Sequence, residues 1–218
     1  MPSDDVRLDF QRPDRIGFDE AILCEGKSVE QLATILERAR ERGVPLLLTR
    51  LARTQLEALP PGLDYEPVSR TAFFGPVKPP VGPSRVAVVA AGTSDAFVTR
   101  EVARTLAFHG VPATLVQDVG VAGLWRLLEK LEVIRAHPVV VAVAGLDAAL
   151  PTVLGGLVGS VLIAVPTSTG YGVAQGGHAA LNAILASCAP GVVTLNIDNG
   201  YGAACAAVRV LRAIDQRR

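Results

Sequence analysis

Five short segments carry the residue types that do chemistry on a small polar substrate. They are Ala91-Gly92-Thr93-Ser94-Asp95, the run from Asp118 to Gly123 with Arg126 close behind, Ala144-Gly145-Leu146-Asp147, the polar run from Pro166 to Gly172 and the run from Asn196 to Gly202. Thr93, Ser94 and Asp95 put two hydroxyls and a carboxylate where a helix should begin, and free backbone N–H groups there suit a phosphate. The plainer alternative is an N-cap after a tight turn. Between Ala136 and Val208 the only formal charges are Asp147 and Asp198. An acid in so apolar a span needs a partner or a task. Asp147 could otherwise cap a helix and Asp198 organise a turn. Cys188 ends a helical pattern before Ala189-Pro190-Gly191. A lone cysteine is most often a small buried hydrophobe, and Cys24 and Cys205 take that reading. Spacing alone leaves Cys188 undecided.

Several chemistries are excluded. No GxxxxGK[ST] or GxGxxG motif is present, so neither a Walker site nor the usual dinucleotide fold is expected. Three cysteines without CxxC spacing make neither a disulfide framework nor a thiolate zinc site. His109, His137 and His178 have no HxxxH or HExxH spacing, so no protein-built zinc site is expected. Trp125 repeats with Val121, Leu124 and Leu128, which reads as core packing.

The elements that must position these segments follow a regular rhythm. After residue 84, strands are expected at 85–91, 112–117, 138–144, 161–165 and 192–197. Helices are expected at 94–109, 121–134, 147–158, 176–188 and 202–214. Five such βα units make an α/β fold, a flavodoxin-like doubly wound parallel sheet, with ligands at the carboxyl ends of the strands. All five polar segments fall at those ends. Residues 1–74 differ, with 10 Lys+Arg and 13 Asp+Glu. Ser28 to Arg42 is an amphipathic helix with Val29, Leu32, Leu36 and Ala39 on one face, a Ser28/Gln31 capping box and Gly43 as its stop. Pro45–Thr49 and Thr71–Phe74 read as strands, and Leu51–Leu59 as a helix. The expected organisation is a small N-terminal α/β domain at 1–74, a Pro/Gly-rich linker at 75–84 and a main domain at 85–218.

The 218 residues are 50% hydrophobic, with 21 basic and 21 acidic side chains and no net charge. A basic excess is absent, so no nucleic-acid partner is expected. The polar, acidic N-terminus does not read as a secretory signal, and the expected location is cytoplasmic. Ala148–Val165 is long and apolar enough to raise a membrane span, but Pro151, Gly155, Gly156, Gly159 and Ser160 interrupt it, and a short buried helix plus a buried strand fit better. A third of the chain with only two charges hides more surface than a monomer can, which predicts a homo-oligomer.

The motifs together resemble the LarB-type nickel pincer cofactor synthases. The segments are DRIGFDEAILCEGKS, AGTSDAFVTREVARTLAFHG, DVGVAGLWRLL, VAGLDAALPTVLGGL, IAVPTSTGYGVAQGG and ASCAPGVVTLNIDNGYGAA. The resemblance spans nearly the whole chain. It implies a PurE-like C-terminal domain, related to the aminoimidazole ribonucleotide (AIR) carboxylases, and an octamer. It implies carboxylation of nicotinic acid adenine dinucleotide at pyridinium carbon 5 and hydrolysis of its phosphoanhydride, with carbon dioxide or bicarbonate as co-substrate and a divalent cation, Mg2+, whose ligands the sequence does not name. By resemblance Cys188 is the thiolate nucleophile and Asp147 the general base, standing where the family typically has a glutamate. Gly92, Thr93, Ser94, Asp95, Asp118, Gly123, Arg126, Thr167, Ser168, Tyr171, Asn196, Asp198 and Asn199 are the expected substrate-binding residues. Trp125 departs from the family, which often has histidine there. The alternatives are the purine-pathway AIR carboxylase, against which Ala149 stands where that family has histidine, and a nucleotide-binding protein without turnover.

Overall fold

A computed structural model describes residues 6–77 and 79–216. The chain divides into two compact units, with the boundary between Pro79 and Pro80.

The first unit holds α1 (Arg12–Ile16), β1 (Ala21–Leu23), α2 (Val29–Arg42), β2 (Leu46–Thr49), α3 (Arg53–Ala58), β3 (Asp64–Glu66) and β4 (Thr71–Phe74). Its sheet runs β1-β2-β4-β3, parallel at β1/β2 and antiparallel elsewhere. Helix α2 starts where Ser28 and Gln31 close a reciprocal capping box and stops at Gly43, which is left-handed at φ 64°. Such a box stabilises a helix by about 1 kcal/mol. Leu32, Ile35, Leu36 and Ala39 bury the helix face beside Leu46, Leu48 and Ala72 of the sheet. The short elements α1, β1 and β3 carry too few periodic residues to stand out in the sequence.

The second unit alternates strictly: β5 (Val86–Ala90), α4 (Ala96–Phe108), β6 (Ala113–Val116), α5 (Leu124–Arg135), β7 (Val139–Ala144), α6 (Ala149–Gly155), β8 (Val161–Pro166), α7 (His178–Leu185), β9 (Val193–Thr194) and α8 (Gly200–Asp215). All neighbouring strands are parallel, in the order β6-β5-β7-β8-β9. Counted within this unit the order is 2-1-3-4-5, the flavodoxin-like arrangement. Helices α4 and α8 pack on each other over one face. Leu127, Ile134, Leu150, Leu154 and Ile184 of α5, α6 and α7 pack with Ala87, Val89, Val140 and Ala142 in one core. Every residue of β5 and β7 is buried, which is why both read as unbroken apolar runs.

Three details differ from the sequence reading. Strand β9 is two residues long, an edge strand that gives way at Leu195 to the loop carrying Asn196 and Asp198. Helix α7 begins at His178, because Gly176 and Gly177 are left-handed (φ 76° and 79°) and break the pattern before it. Trp125 is not core: Leu127 fills the buried position and the indole is 62% exposed. The apolar window Ala148–Val165 spans α6, a turn and most of β8. Among the described residues no helix is long and apolar enough to cross a membrane.

Candidate active site

From β5 the chain crosses to one side of the sheet, and from β6 to the other, so the strand order reverses beside β5. A crevice opens at the carboxyl end of a sheet at such a point. A cavity of about 740 Å3 lies there. Its wall comes from the segments after β5 (Gly92, Ser94, Asp95), β6 (Asp118, Val121, Ala122, Arg126) and β7 (Gly145 to Leu150), with Thr169 after β8.

Asp95 is the buried acid of the site. It lies in a 3-10 turn, Thr93–Asp95, that feeds α4, and only 4% of it is exposed. Its carboxylate accepts the Gly92 N–H at 3.0 Å and the Thr167 hydroxyl at 2.7 Å. Burial pushes its carboxyl above the ordinary range, the hydrogen bonds oppose that rise, and the charge of Asp198 adds to it. Thr169 donates its hydroxyl to the Ser94 carbonyl at 3.3 Å. The strap after β8 is thereby tied to the turn after β5. Asp198 closes the same region from the next loop. Its N–H donates to the Pro166 carbonyl, and its carboxylate accepts the Ser168 N–H at 2.8 Å.

Asp147 stands on a strained segment. Leu146 and Ala148 on either side are left-handed at φ 54° and 45°, a conformation that costs a residue with a Cβ about 1–2 kcal/mol. The Leu146 N–H donates to the Thr169 carbonyl and the Ala148 N–H to the Gly145 carbonyl, both at 2.9 Å, which holds the segment in place. Gly145 has no room for a side chain: a Cβ would fall 2.3 Å from the Thr169 carbonyl oxygen and 2.6 Å from the Thr167 hydroxyl. Asp147 itself is exposed at the cavity and accepts only a long bond, 3.4 Å, from the Ala149 N–H. An acid expected to be hidden by its apolar surroundings is thus open to a ligand in the single chain.

Arg126 supplies a cation to the cavity. Its Nη1 lies 2.6 Å from the Asp118 carboxylate, and its Nε is buried with no partner among the described residues. Gly123 leaves room for that guanidinium, since a Cβ there would lie 2.9 Å from Nε.

Six of the residues singled out in the sequence therefore line one cavity: Gly92, Ser94, Asp95, Asp118, Arg126 and Asp147. Thr167, Ser168 and Asp198 brace it. Thr93 belongs to the turn and Gly123 to the backbone beneath Arg126. Tyr171 is 82% exposed. The Asn196 side chain accepts its neighbour's N–H, that of Ile197, at 2.9 Å, and Asn199 caps α8 by accepting the Gly202 N–H at 2.7 Å. Cys188 is not part of the cavity wall. It is an exposed free thiol on the loop between α7 and β9, at the amino edge of the sheet. Its neighbour Ser187 shares a 2.7 Å hydroxyl contact with Thr152 of α6, and Ala189 lies against Gly155 at that helix's end.

Two contributors escaped the sequence reading. Thr169 was visible only as part of a polar run. Glu101, 2% exposed in α4, accepts the Tyr201 N–H at 3.1 Å and so braces the start of α8 beside the Asp198 turn. Their partners are remote in sequence, so no local pattern marks either one.

The comparisons with known proteins bear on the two units of the chain. Residues 85–217 match the AIR carboxylase family, which defines the second unit as a domain of carboxylase or lyase type. Residues 3–76 match the LarB/PurE-like N-terminal domain. The chain belongs to the LarB-type family with a PurE-like C-terminal domain. An uncharacterized protein of Methanocaldococcus jannaschii is 32% identical over 213 residues, covering 91% of this chain and 80% of that protein.

Proposed function

We propose that the protein carboxylates the pyridinium ring of nicotinic acid adenine dinucleotide at carbon 5 and hydrolyses the phosphoanhydride, giving pyridinium-3,5-biscarboxylic acid mononucleotide and AMP. The observation that carries this reading is the junction of Asp147, Arg126 and Asp95 around one cavity in a chain that also bears the LarB/PurE-like N-terminal domain.

A pyridinium ring is electron-poor, and its carbon 5 does not attack carbon dioxide. Addition of a thiolate at carbon 4 breaks aromaticity and leaves an enamine with a nucleophilic carbon 5. That carbon forms the new C–C bond to carbon dioxide. Asp147 then takes the carbon 5 proton, the C–S bond breaks, and its electron pair returns to sulfur as the ring regains aromaticity. Water adds to phosphorus in the second reaction, and AMP leaves. Arg126 neutralises phosphate oxygens, and the buried Asp95 accepts hydrogen bonds from ribose hydroxyls or from the strap.

The thiolate is assigned to Cys188 by family resemblance. Since that residue lies at the amino edge of the sheet, and the cavity at the carboxyl edge, the reading requires the Cys188 loop of one copy to reach the cavity of another. The near absence of charge from Ala136 to Val208, with Leu185 and Val193 exposed on either side of that loop, supports such an assembly. A divalent cation is a further expectation from the resemblance. Asp95 and Asp198 are engaged with backbone and hydroxyl donors, and no group of three His, Cys, Asp or Glu among the described residues could hold a metal ion. Within one copy the described residues supply no such ligand set, and no step here passes through a metal.

The test is chromatography of protein incubated with the dinucleotide and bicarbonate, and separately with aminoimidazole ribonucleotide and bicarbonate. AMP release from the first alone supports the proposal. Turnover of the second alone would assign the chain to purine carboxylation instead.

A further inference from the structure

The indole of Trp125 is the feature the mechanism leaves unused. It is the only tryptophan in the chain, and it is 62% exposed in the first turn of α5. The indole is not itself part of the cavity wall, but Trp125 stands in the chain between residues that are: Val121 and Ala122 just before α5, and Arg126 immediately after it. It is thus an exposed aromatic side chain beside the residue that carries the cavity's cation.

Resting on the substrate reading above, we propose that Trp125 is a stacking platform for the adenine ring of the dinucleotide. Charge decides which of the two rings it takes. The pyridinium is a cation and belongs beside the exposed carboxylate of Asp147, on the β7 side of the cavity. Adenine is neutral and tolerates the neighbourhood of a guanidinium. Placing the pyrophosphate between them brings its negative charge to Arg126, whose Nε is buried without a partner among the described residues. A flat, neutral, heteroaromatic ring then falls next to a flat, exposed indole.

Because the chain has a single tryptophan, its emission reports this position alone. Wild-type protein is titrated separately with AMP, nicotinic acid mononucleotide and the dinucleotide, with equilibrium dialysis run alongside. The expected result is saturable quenching by AMP and by the dinucleotide, and none by nicotinic acid mononucleotide even where dialysis shows it bound. Trp125→Ala should weaken AMP binding by roughly ten-fold or more, and Trp125→Phe should recover most of the loss, because stacking needs an aromatic face rather than the indole N–H. Quenching by nicotinic acid mononucleotide alone would overturn the assignment of the ring. Bound AMP with silent, blue-shifted emission would overturn the platform and place Trp125, with Leu124 and Leu128, against a second copy of the chain. If dialysis finds none of the three nucleotides bound, the substrate reading itself falls, an outcome distinct from binding without quenching.

Discussion

The substitution Gly145→Ala tests the architecture of the site most simply. Gly145 has an ordinary φ, so its constraint is space and not backbone conformation. A methyl there would fall 2.3 Å from the Thr169 carbonyl oxygen and 2.8 Å from the Thr169 Cβ. Neither is the free end of a flexible side chain, so the strap after β8 has to move. Overpacking of this kind costs about 1–3 kcal/mol. The Leu146 N–H bond to the Thr169 carbonyl, 2.9 Å, is lost with it, which adds about 1 kcal/mol. A total of about 2–4 kcal/mol should lower Tm by roughly 6–16 °C for a unit of this size. Thermal unfolding followed by circular dichroism measures it. Gly159→Ala is the control, because nothing lies within 4 Å of a Cβ there and its φ is not positive, and it should stay within about 0.5 kcal/mol of wild type. A Gly145→Ala protein melting within 2 °C of wild type, or a Gly159→Ala protein falling as far, would refute the close approach of the two segments.

Four other outcomes are expected. Cys188→Ser should abolish carboxylation, by a factor of about 1000 or more, with Tm unchanged, since the thiol is exposed. Asp147→Asn should lose most turnover, about 100-fold or more, while still binding the dinucleotide in dialysis; if Asp198→Asn does so instead, the base has been misassigned. Asp95 is held above the ordinary carboxyl range by burial, so between about pH 4 and its raised value the native state binds more protons than the unfolded chain. Its contribution to stability is therefore lost as pH rises through that window, and urea titrations of Asp95→Asn from pH 4 upward should show a flatter profile than wild type. His109 runs the other way: burial, then the charge of Arg212, depresses it to about 4. Stability linked to His109 is fully present above about pH 6.5 and lost as pH falls through 4, a slope that His109→Gln should remove in the same titrations.

How far the sequence could be read depended on how local the physics was. Ser28 and Gln31 announce α2 because both halves of a capping box lie within one turn. The strands of the second unit announce themselves because two covered faces demand apolar runs such as Val86–Ala90 and Val139–Ala144. The βα rhythm gave the flavodoxin-like class, and the rule that ligands sit at carboxyl ends placed Asp95, Asp118 and Asp147 together. What was not legible depends on remote partners. Nothing near Asp95 in the sequence points to Thr167, and nothing near Glu101 points to Tyr201. The left-handed residues flanking Asp147 are ordinary Leu146 and Ala148, so no glycine marks the strain. Trp125 misled because its spacing with Val121 and Leu128 suits a core face, whereas the face that packs on the sheet is that of Leu127, Leu131 and Ile134. Cys188 could be recognised only through its surrounding motif, and its place at the opposite edge of the sheet from the cavity follows from topology alone.

The central claim is the pairing of carboxylation with phosphoanhydride cleavage on one dinucleotide. Mass spectrometry of a mixture of the protein, nicotinic acid adenine dinucleotide, carbon-13 bicarbonate and magnesium tests it directly. The expected products are AMP and a dicarboxylated pyridinium mononucleotide carrying one carbon-13. An intact, unlabelled dinucleotide after prolonged incubation, from protein that is folded and assembled, would contradict it.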